Sequence, residues 1–83
     1  MNFGKNLTVF RKQKNLSQEE LAFIVGVSRQ TIYTWEADIA GPNVVMLKRL
    51  SNALDVSLDE LVKGPSIEAL PNKMKNYTLN KLL

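Results

Sequence analysis

The chain has 83 residues, 45% of them hydrophobic, so one small domain with a packed core fits and two domains do not. Cysteine and histidine are absent, which excludes disulfide frameworks, thiol nucleophiles, imidazole bases and the usual zinc ligands, and we expect no enzyme, metal or cofactor. The net charge of +3 permits a nucleic-acid partner but is not strong evidence for one. No segment is apolar enough for a signal peptide or a membrane span, so we expect a cytoplasmic protein.

Two amphipathic helices are predicted at the start of the chain. Residues 5–14 place Leu7 and Phe10 three positions apart, with basic side chains around them. In the following segment, NLSQEELAFIVG, Ser17 is a predicted N-cap because Glu20 stands three residues later and completes a capping box. Nothing in this stretch has the alternation of a strand.

The second helix is expected to end at a glycine and to be followed closely by a third. Its expected buried face consists of Leu21, Ile24 and Val25. Gly26 is well placed for the left-handed residue that ends a helix. Ser28 then caps a third predicted helix, which runs to about Glu36.

Two more helices follow a loop, ADIAGPN, that contains Gly-Pro. Asn43 caps the fourth helix, and its expected apolar face is Val44, Leu47, Leu50 and Leu54. Ser57 opens a fifth helix with a second capping box, and this helix is expected to stop near Gly64. The predicted fold is therefore all-α, with five helices in residues 1–64 and an apolar, basic extension in residues 65–83.

The segment QEELAFIVGVSRQTIYTWE has the pattern of two helices that meet across a tight turn. Ala22 is small where the second helix would cross closely, and Gly26 allows positive φ in the turn. The residues expected to fix the third helix on the core are Val27, Ile32 and Trp35. An αα-hairpin in an ordinary helical bundle would also use such a pair, but the number of matching positions favours a helix-turn-helix, whose second helix lies in the major groove of DNA.

The chain resembles the Xre/Cro/cI-like helix-turn-helix family of bacterial and phage regulators. The resemblance covers about residues 5–63 and lies in RKQKNLSQEELA, VGVSRQTIYTWE and LSNALDVSLDELVKG. It implies a compact five-helix domain like that of lambda repressor, and sequence-specific transcriptional regulation as a homodimer on double-stranded DNA. We expect a repressor, encoded by a bacterium or a phage and acting at the nucleoid.

The outer face of the third helix carries the predicted DNA contacts. Glutamine pairs with adenine and arginine with guanine, so Gln30 and Arg29 are the predicted base readers, although Arg29 could instead contact only phosphate. Thr34, one turn beyond Gln30, is expected to reach a base edge or a thymine methyl group. The predicted contacts to the DNA backbone, partly implied by the resemblance, are Gln18, Ser28, Thr31, Tyr33 and Asn43. Capping alone would also explain Ser28 and Asn43.

The resemblance further implies that Arg11 and Glu36 form a salt bridge between the first and third helices, as structural residues alongside Ala22, Gly26 and Trp35. Three residues depart from the family pattern. Asp38 would repel phosphate in a loop that is commonly basic or polar, whereas Phe23 and Ile39 place apolar side chains on surfaces that are usually polar.

These departures keep a second hypothesis open. The chain could be a protein-interaction module, such as an antitoxin-like partner or co-regulator, that uses the same fold with weak DNA contact. A DNA-binding regulator that also meets a protein regulator fits the sequence as well. If the chain is a dimeric DNA-binding regulator, the extension 65–83 is a candidate dimerisation segment.

Overall fold

The computed structural model describes residues 3–65, and within them the chain forms five helices and no strand. The helices are α1 (Phe3–Gln13), α2 (Gln18–Val25), α3 (Arg29–Glu36), α4 (Val44–Leu54) and α5 (Leu58–Lys63). This confirms the predicted all-α, five-helix fold, with α1 beginning two residues before its predicted start. No helix in this range is long and apolar enough to cross a membrane. The predicted extension lies outside the described residues except for Pro65, so the division at residue 64 stays a prediction.

All four predicted N-caps are present. The side chains of Ser17, Ser28, Asn43 and Ser57 each accept a hydrogen bond from the backbone N–H three residues later. Glu20 and Glu60 complete capping boxes at α2 and α5. Helices of 6–11 residues are marginal in isolation, so these caps fix where each helix starts, while packing supplies most of its stability.

The hydrophobic core draws on every helix. It consists of Leu7, Phe10, Leu21, Ala22, Val25, Ile32, Trp35, Leu50, Leu54 and Leu61. Ala22 is buried beside much larger side chains, which matches its expected place where two helices cross closely. The core therefore holds α2 and α3 from beneath and leaves their outer faces to solvent.

Two residues expected in the core are exposed. Ile24 is 53% exposed because the burial of Ala22 shifts the inner face of α2 toward that residue and away from Ile24. Val44 is 66% exposed, since it lies in the first turn of α4 and about 120° around that helix from the buried Leu50. Both corrections leave apolar side chains on the surface.

The first helix is tied to α3 and to α5 by its N-terminal residues. A Cβ atom on Gly4 would overlap the backbone carbonyl of Glu36, so α1 approaches the end of α3 as closely as glycine permits. The backbone N–H of Gly4 donates to Oδ1 of Asp38 at 2.9 Å. Asn6 donates from Nδ2 to the carbonyl oxygens of Leu61 (3.2 Å) and Val62 (3.0 Å), at the end of α5.

Candidate nucleic-acid interface

The turn between α2 and α3 is built around Gly26. Its φ of 82° and ψ of 36° lie in the left-handed region, as predicted, and its N–H donates to the carbonyl of Ala22 at 2.9 Å. The N–H of Val27 donates to the same carbonyl at 2.9 Å. Arg49 reaches from α4 and donates to the carbonyl of Val25 at 3.3 Å. The last turn of α2 is thus held from both sides, which fixes the direction in which α3 leaves the turn.

The third helix has one buried face and one polar face. Ile32 is fully buried and Trp35 is 6% exposed, so two side chains three residues apart anchor the helix to the core. Arg29, Gln30 and Tyr33 are exposed on its other side. A short helix anchored in this way presents its polar face as a rigid surface, which is what recognition of base edges requires.

A chain of hydrogen bonds joins α1, α2 and α3 at the start of this surface. Arg11 donates from Nε to Oε2 of Glu36 at 2.6 Å and from Nη2 to Oε1 at 3.1 Å. Gln18 donates from Nε2 to Oε1 of Glu36 at 3.0 Å, and its own Oε1 accepts from Nη1 of Arg29 at 3.2 Å. Glu36 thereby sets which end of the Gln18 amide faces Arg29. Four residues predicted for three roles, a structural ion pair, a backbone contact and a base contact, are thus joined in one network.

The carboxylate of Glu36 is held in its ionised form. Burial by itself would raise the pKa of Glu36, but hydrogen bonds from Arg11 and Gln18 and the positive charge of Arg11 outweigh it, so the pKa lies below its usual value. The side chains of Glu36 and Arg11 are only 7% and 11% exposed. The pair is therefore a buried, bidentate contact rather than a solvated surface ion pair.

The small polar side chains of α3 already have partners within the helix. Ser28 Oγ accepts from the N–H of Thr31 at 3.2 Å and lies 2.9 Å from Thr31 Oγ1. Thr34 donates its hydroxyl proton to the carbonyl of Thr31 at 2.8 Å and is partly buried. This leaves the methyl group and the oxygen lone pairs of Thr34 for a further contact. Asn43 likewise accepts from the N–H of Met46 at 2.9 Å as the cap of α4.

Asp38 has a structural partner that the sequence did not indicate. Its φ is 58°, and its carboxylate accepts the hydrogen bond from Gly4 described above, at the positive end of the α1 dipole. The two residues are 34 positions apart. Asp38 thus has a structural reason to be acidic, because it satisfies an N–H that the first turn of a helix leaves free, and its expected repulsion of phosphate stays a prediction.

The exposed groups of this surface can bind a polar partner. Among residues 3–65 no group of three or more acidic, histidine or cysteine side chains comes together to hold a metal ion. The exposed groups on α3 are a guanidinium, an amide and a phenol, with small hydroxyls beside them. These are hydrogen-bonding groups suited to base edges and phosphate oxygens.

Comparison with known proteins gives consistent matches. A sequence model described as "Helix-turn-helix" matches residues 9–61, more than half of the chain. An HTH-type transcriptional regulator of Bacillus subtilis, YqaE, is 42% identical over 78 residues, which cover 94% of this chain and 67% of YqaE. The HTH-type transcriptional activator BcrR of Enterococcus faecalis is 37% identical over 99% of this chain, but this chain spans only 40% of BcrR.

The fold is also found in a solved protein–DNA complex. The crystal structure of the P22 c2 repressor with a synthetic operator matches with a TM-score of 0.73 at 37% identity, over 78% of this chain and 98% of that chain. The similarity in sequence and in structure thus covers the region that contains α2, the turn and α3.

Proposed function

This chain belongs to the helix-turn-helix family, and from that membership we propose that it is a sequence-specific DNA-binding transcriptional regulator that acts as a repressor. Since the family relatives are named as regulators of transcription, the chain is not an enzyme. We further propose that it binds double-stranded DNA at the nucleoid, with α3 in the major groove.

The observation that carries the proposal is the network from Arg11 through Glu36 and Gln18 to Arg29. A buried ion pair fixes Gln18, and Gln18 in turn fixes the first side chain of the helix that would enter the groove. An arginine held in this way keeps further guanidinium donors free for a guanine edge or a phosphate. Such preorganisation reduces the loss of side-chain entropy on binding.

We propose separate roles for the exposed groups around α3. Arg29 and Gln30 contact base edges, and the methyl group or hydroxyl oxygen of Thr34 contacts a base on the same face. The side chains proposed to contact the DNA backbone are Gln18, Ser28, Thr31, Tyr33 and Asn43. Gln18 would do so with the second N–H of its amide, and with help from the free N–H groups in the first turn of α2.

We also propose that the chain binds as a homodimer on a short inverted repeat. One helix of eight residues contacts only a few base pairs, and twofold pairing places two such helices one DNA turn apart. Val44 and Val45 in the first turn of α4 are 66% and 56% exposed, and Leu58 at the start of α5 is 40% exposed. These apolar side chains supply a pairing surface on the described domain, in addition to the candidate segment 65–83.

Selection of sites from random DNA duplexes with the purified chain tests the function. We expect enrichment of an inverted repeat with half-sites about one helical turn apart, and binding that weakens steeply with added salt. Gln30→Ala should then weaken binding to the selected site by about 1–3 kcal/mol and relax one base position, whereas Asn52→Ala on α4 should leave it unchanged. Failure to enrich any sequence at low salt would refute DNA recognition.

A second candidate function is supported by the exposed apolar residues. Phe23 is 87% exposed and Ile39 is 69% exposed, and neither has a role in the proposed DNA contact. A protein-interaction module with weak DNA contact, or a DNA-binding regulator that also meets a protein regulator, would use such residues. If site selection enriched no sequence and Phe23→Ser abolished binding to a protein partner, the protein-interaction module would be the favoured function.

A further inference from the structure

A groove on the outer side of α2, which we call the α2 groove, is lined by Leu16, Ser17, Glu19, Glu20, Phe23 and Ile24. Its volume is about 450 Å³. Phe23 is 87% exposed and Ile24 is 53% exposed, and they stand next to each other in the sequence. One exposed apolar side chain is ordinary, but an adjacent pair beside a groove marks a surface that gains from being covered.

The fold does not require these two side chains. Phe23 lies about 200° around α2 from the buried Leu21, so it points away from the core. The DNA contacts proposed above come from the first turn of α2 and from α3, and they leave both residues unused. Neither residue belongs to the buried core or to the partly buried side chains packed against it.

The charges at the groove indicate what would cover it. Glu19 and Glu20 are both acidic residues of the first turn of α2 and line the groove, in a chain whose net charge is positive. The hydrogen bonds from Ser17 lower the pKa of Glu20, so its carboxylate stays charged. A matching occupant combines apolar side chains with lysine or arginine.

The chain itself contains such a segment. Residues 73–83, KMKNYTLNKLL, include three lysines and no acidic residue. Between the lysines stand Met74, Tyr77 and Leu79, with Leu82 and Leu83 at the end. This segment supplies positive charge opposite Glu19 and Glu20 and apolar side chains that can pack on Phe23 and Ile24.

We propose that residues 73–83 dock onto the α2 groove of their own chain. The link from Pro65 to residue 73 can span up to about 26 Å, close to the diameter of a domain of this size, which lets the segment reach surfaces distant from the end of α5. Covalent linkage raises the effective concentration of the segment to about the millimolar range, which favours the chain's own segment over that of a second copy. Docking would cover Phe23 and leave α3 free. Residues 73–83 would then be occupied within their own chain, so subunit pairing would rest on the exposed apolar side chains of α4 and α5 rather than on this segment. The inference does not depend on the proposed function, and its test needs no DNA.

Disulfide trapping in the full chain tests this proposal, because the chain contains no cysteine of its own. The variant Ile24→Cys with Met74→Cys keeps the acidic residues and all lysines in place. We expect it to form an intramolecular disulfide at least tenfold faster than a matched pair, Asp59→Cys with Met74→Cys. Asp59 is exposed on α5 and closer to the segment in sequence, so an undocked segment would favour the matched pair instead.

Two further variants separate docking from chance encounter. Adding Phe23→Ser to the Ile24–Met74 cysteine pair should remove the tenfold preference, whereas adding Ile39→Ser, another exposed apolar position, should leave it intact. Circular dichroism of each variant verifies that the helices are retained. Equal rates for the two cysteine pairs, or a disulfide-linked dimer in place of the intramolecular product, would overturn docking within one chain.

Discussion

Removal of the Glu36 carboxylate is the change that tests the central network most directly. In Glu36→Ala the guanidinium of Arg11 loses two hydrogen bonds and its counter-ion, and it keeps only the bond from Nη1 to the carbonyl of Leu16 at 2.8 Å. Gln18 loses the acceptor that orients its amide. We therefore expect both lower stability and a less ordered Arg29.

The magnitude follows from the burial of the pair. Hydrogen bonds to charged groups contribute about 1.5–3 kcal/mol each, and removing one partner of a buried ion pair costs about 3–5 kcal/mol. The Arg11 side chain is 11% exposed, so water compensates little for the lost contact. A chain of this length is stable by only about 4–12 kcal/mol, so Glu36→Ala should remove a large part of the stability. In Glu36→Gln the amide oxygen can still accept one bond, and the loss should be smaller.

Urea unfolding followed by the fluorescence of Trp35 measures these effects, since Trp35 is the only tryptophan and is 6% exposed beside Glu36. Asp59→Ala, which removes the exposed ion pair between Lys63 and Asp59 at 3.5 Å, is the control and should cost less than about 1 kcal/mol. The double variant Arg11→Met with Glu36→Leu leaves no unpaired charge and should be more stable than Glu36→Ala. A cost below about 1 kcal/mol for Glu36→Ala would refute the reasoning.

Three other predictions concern separate features. Gly4→Ala should lower the free energy of unfolding by about 1–3 kcal/mol, because its Cβ would meet backbone, whereas Gly41→Ala, with nothing within 4 Å, should change it little. Folding lowers the pKa of Glu36, so its ionised form stabilises the domain above about pH 4.5, and this contribution is lost as the pH falls through the folded-state pKa. Urea unfolding from pH 3 to 7 should therefore show a free energy of unfolding that decreases at acid pH, and Glu36→Gln should make this decrease smaller. The decrease that remains in Glu36→Gln should come in part from Glu20, whose pKa is also lowered. Tyr33→Phe should leave the free energy of unfolding unchanged, because Tyr33 is 46% exposed. If the hydroxyl of Tyr33 contacts phosphate, the same variant should bind a selected DNA site more weakly by about 0.5–1.5 kcal/mol in a gel shift. Equal binding by the variant and the unmodified chain would remove Tyr33 from the interface.

Features decided by neighbours in sequence could be predicted from the sequence. Each cap depends on a side chain and a backbone N–H three residues apart, so Ser17, Ser28, Asn43 and Ser57 were all identified correctly. The left-handed conformation of Gly26 follows from the same kind of local rule. Helical periodicity also gave the number and order of the helices.

Features decided by packing between distant segments could not be predicted in this way. Periodicity placed Ile24 inside because it cannot tell which side of a short helix its neighbours will cover. The close approach of Gly4 to Glu36 and its bond to Asp38, 34 residues away, join distant parts of the chain, and no local pattern marks them. The link from Gln18 to Arg29 depends on the angle between two helices. The predicted DNA contacts themselves stay predictions, since they require the partner.

The two bonds from Asn6 to the end of α5 have a consequence for how the protein is made. The first helix emerges from the ribosome well before its last partner, because about 50 residues separate its end from Val62. At a synthesis rate of 5–20 residues per second, that interval is roughly 3–10 s. An isolated helix of 11 residues is not stable in water, because no other segment packs against it. During this time Leu7 and Phe10 have no complete core to enter. The growing chain thus exposes the apolar face of α1 until nearly the whole domain has been synthesised, and folding completes only when α5 arrives.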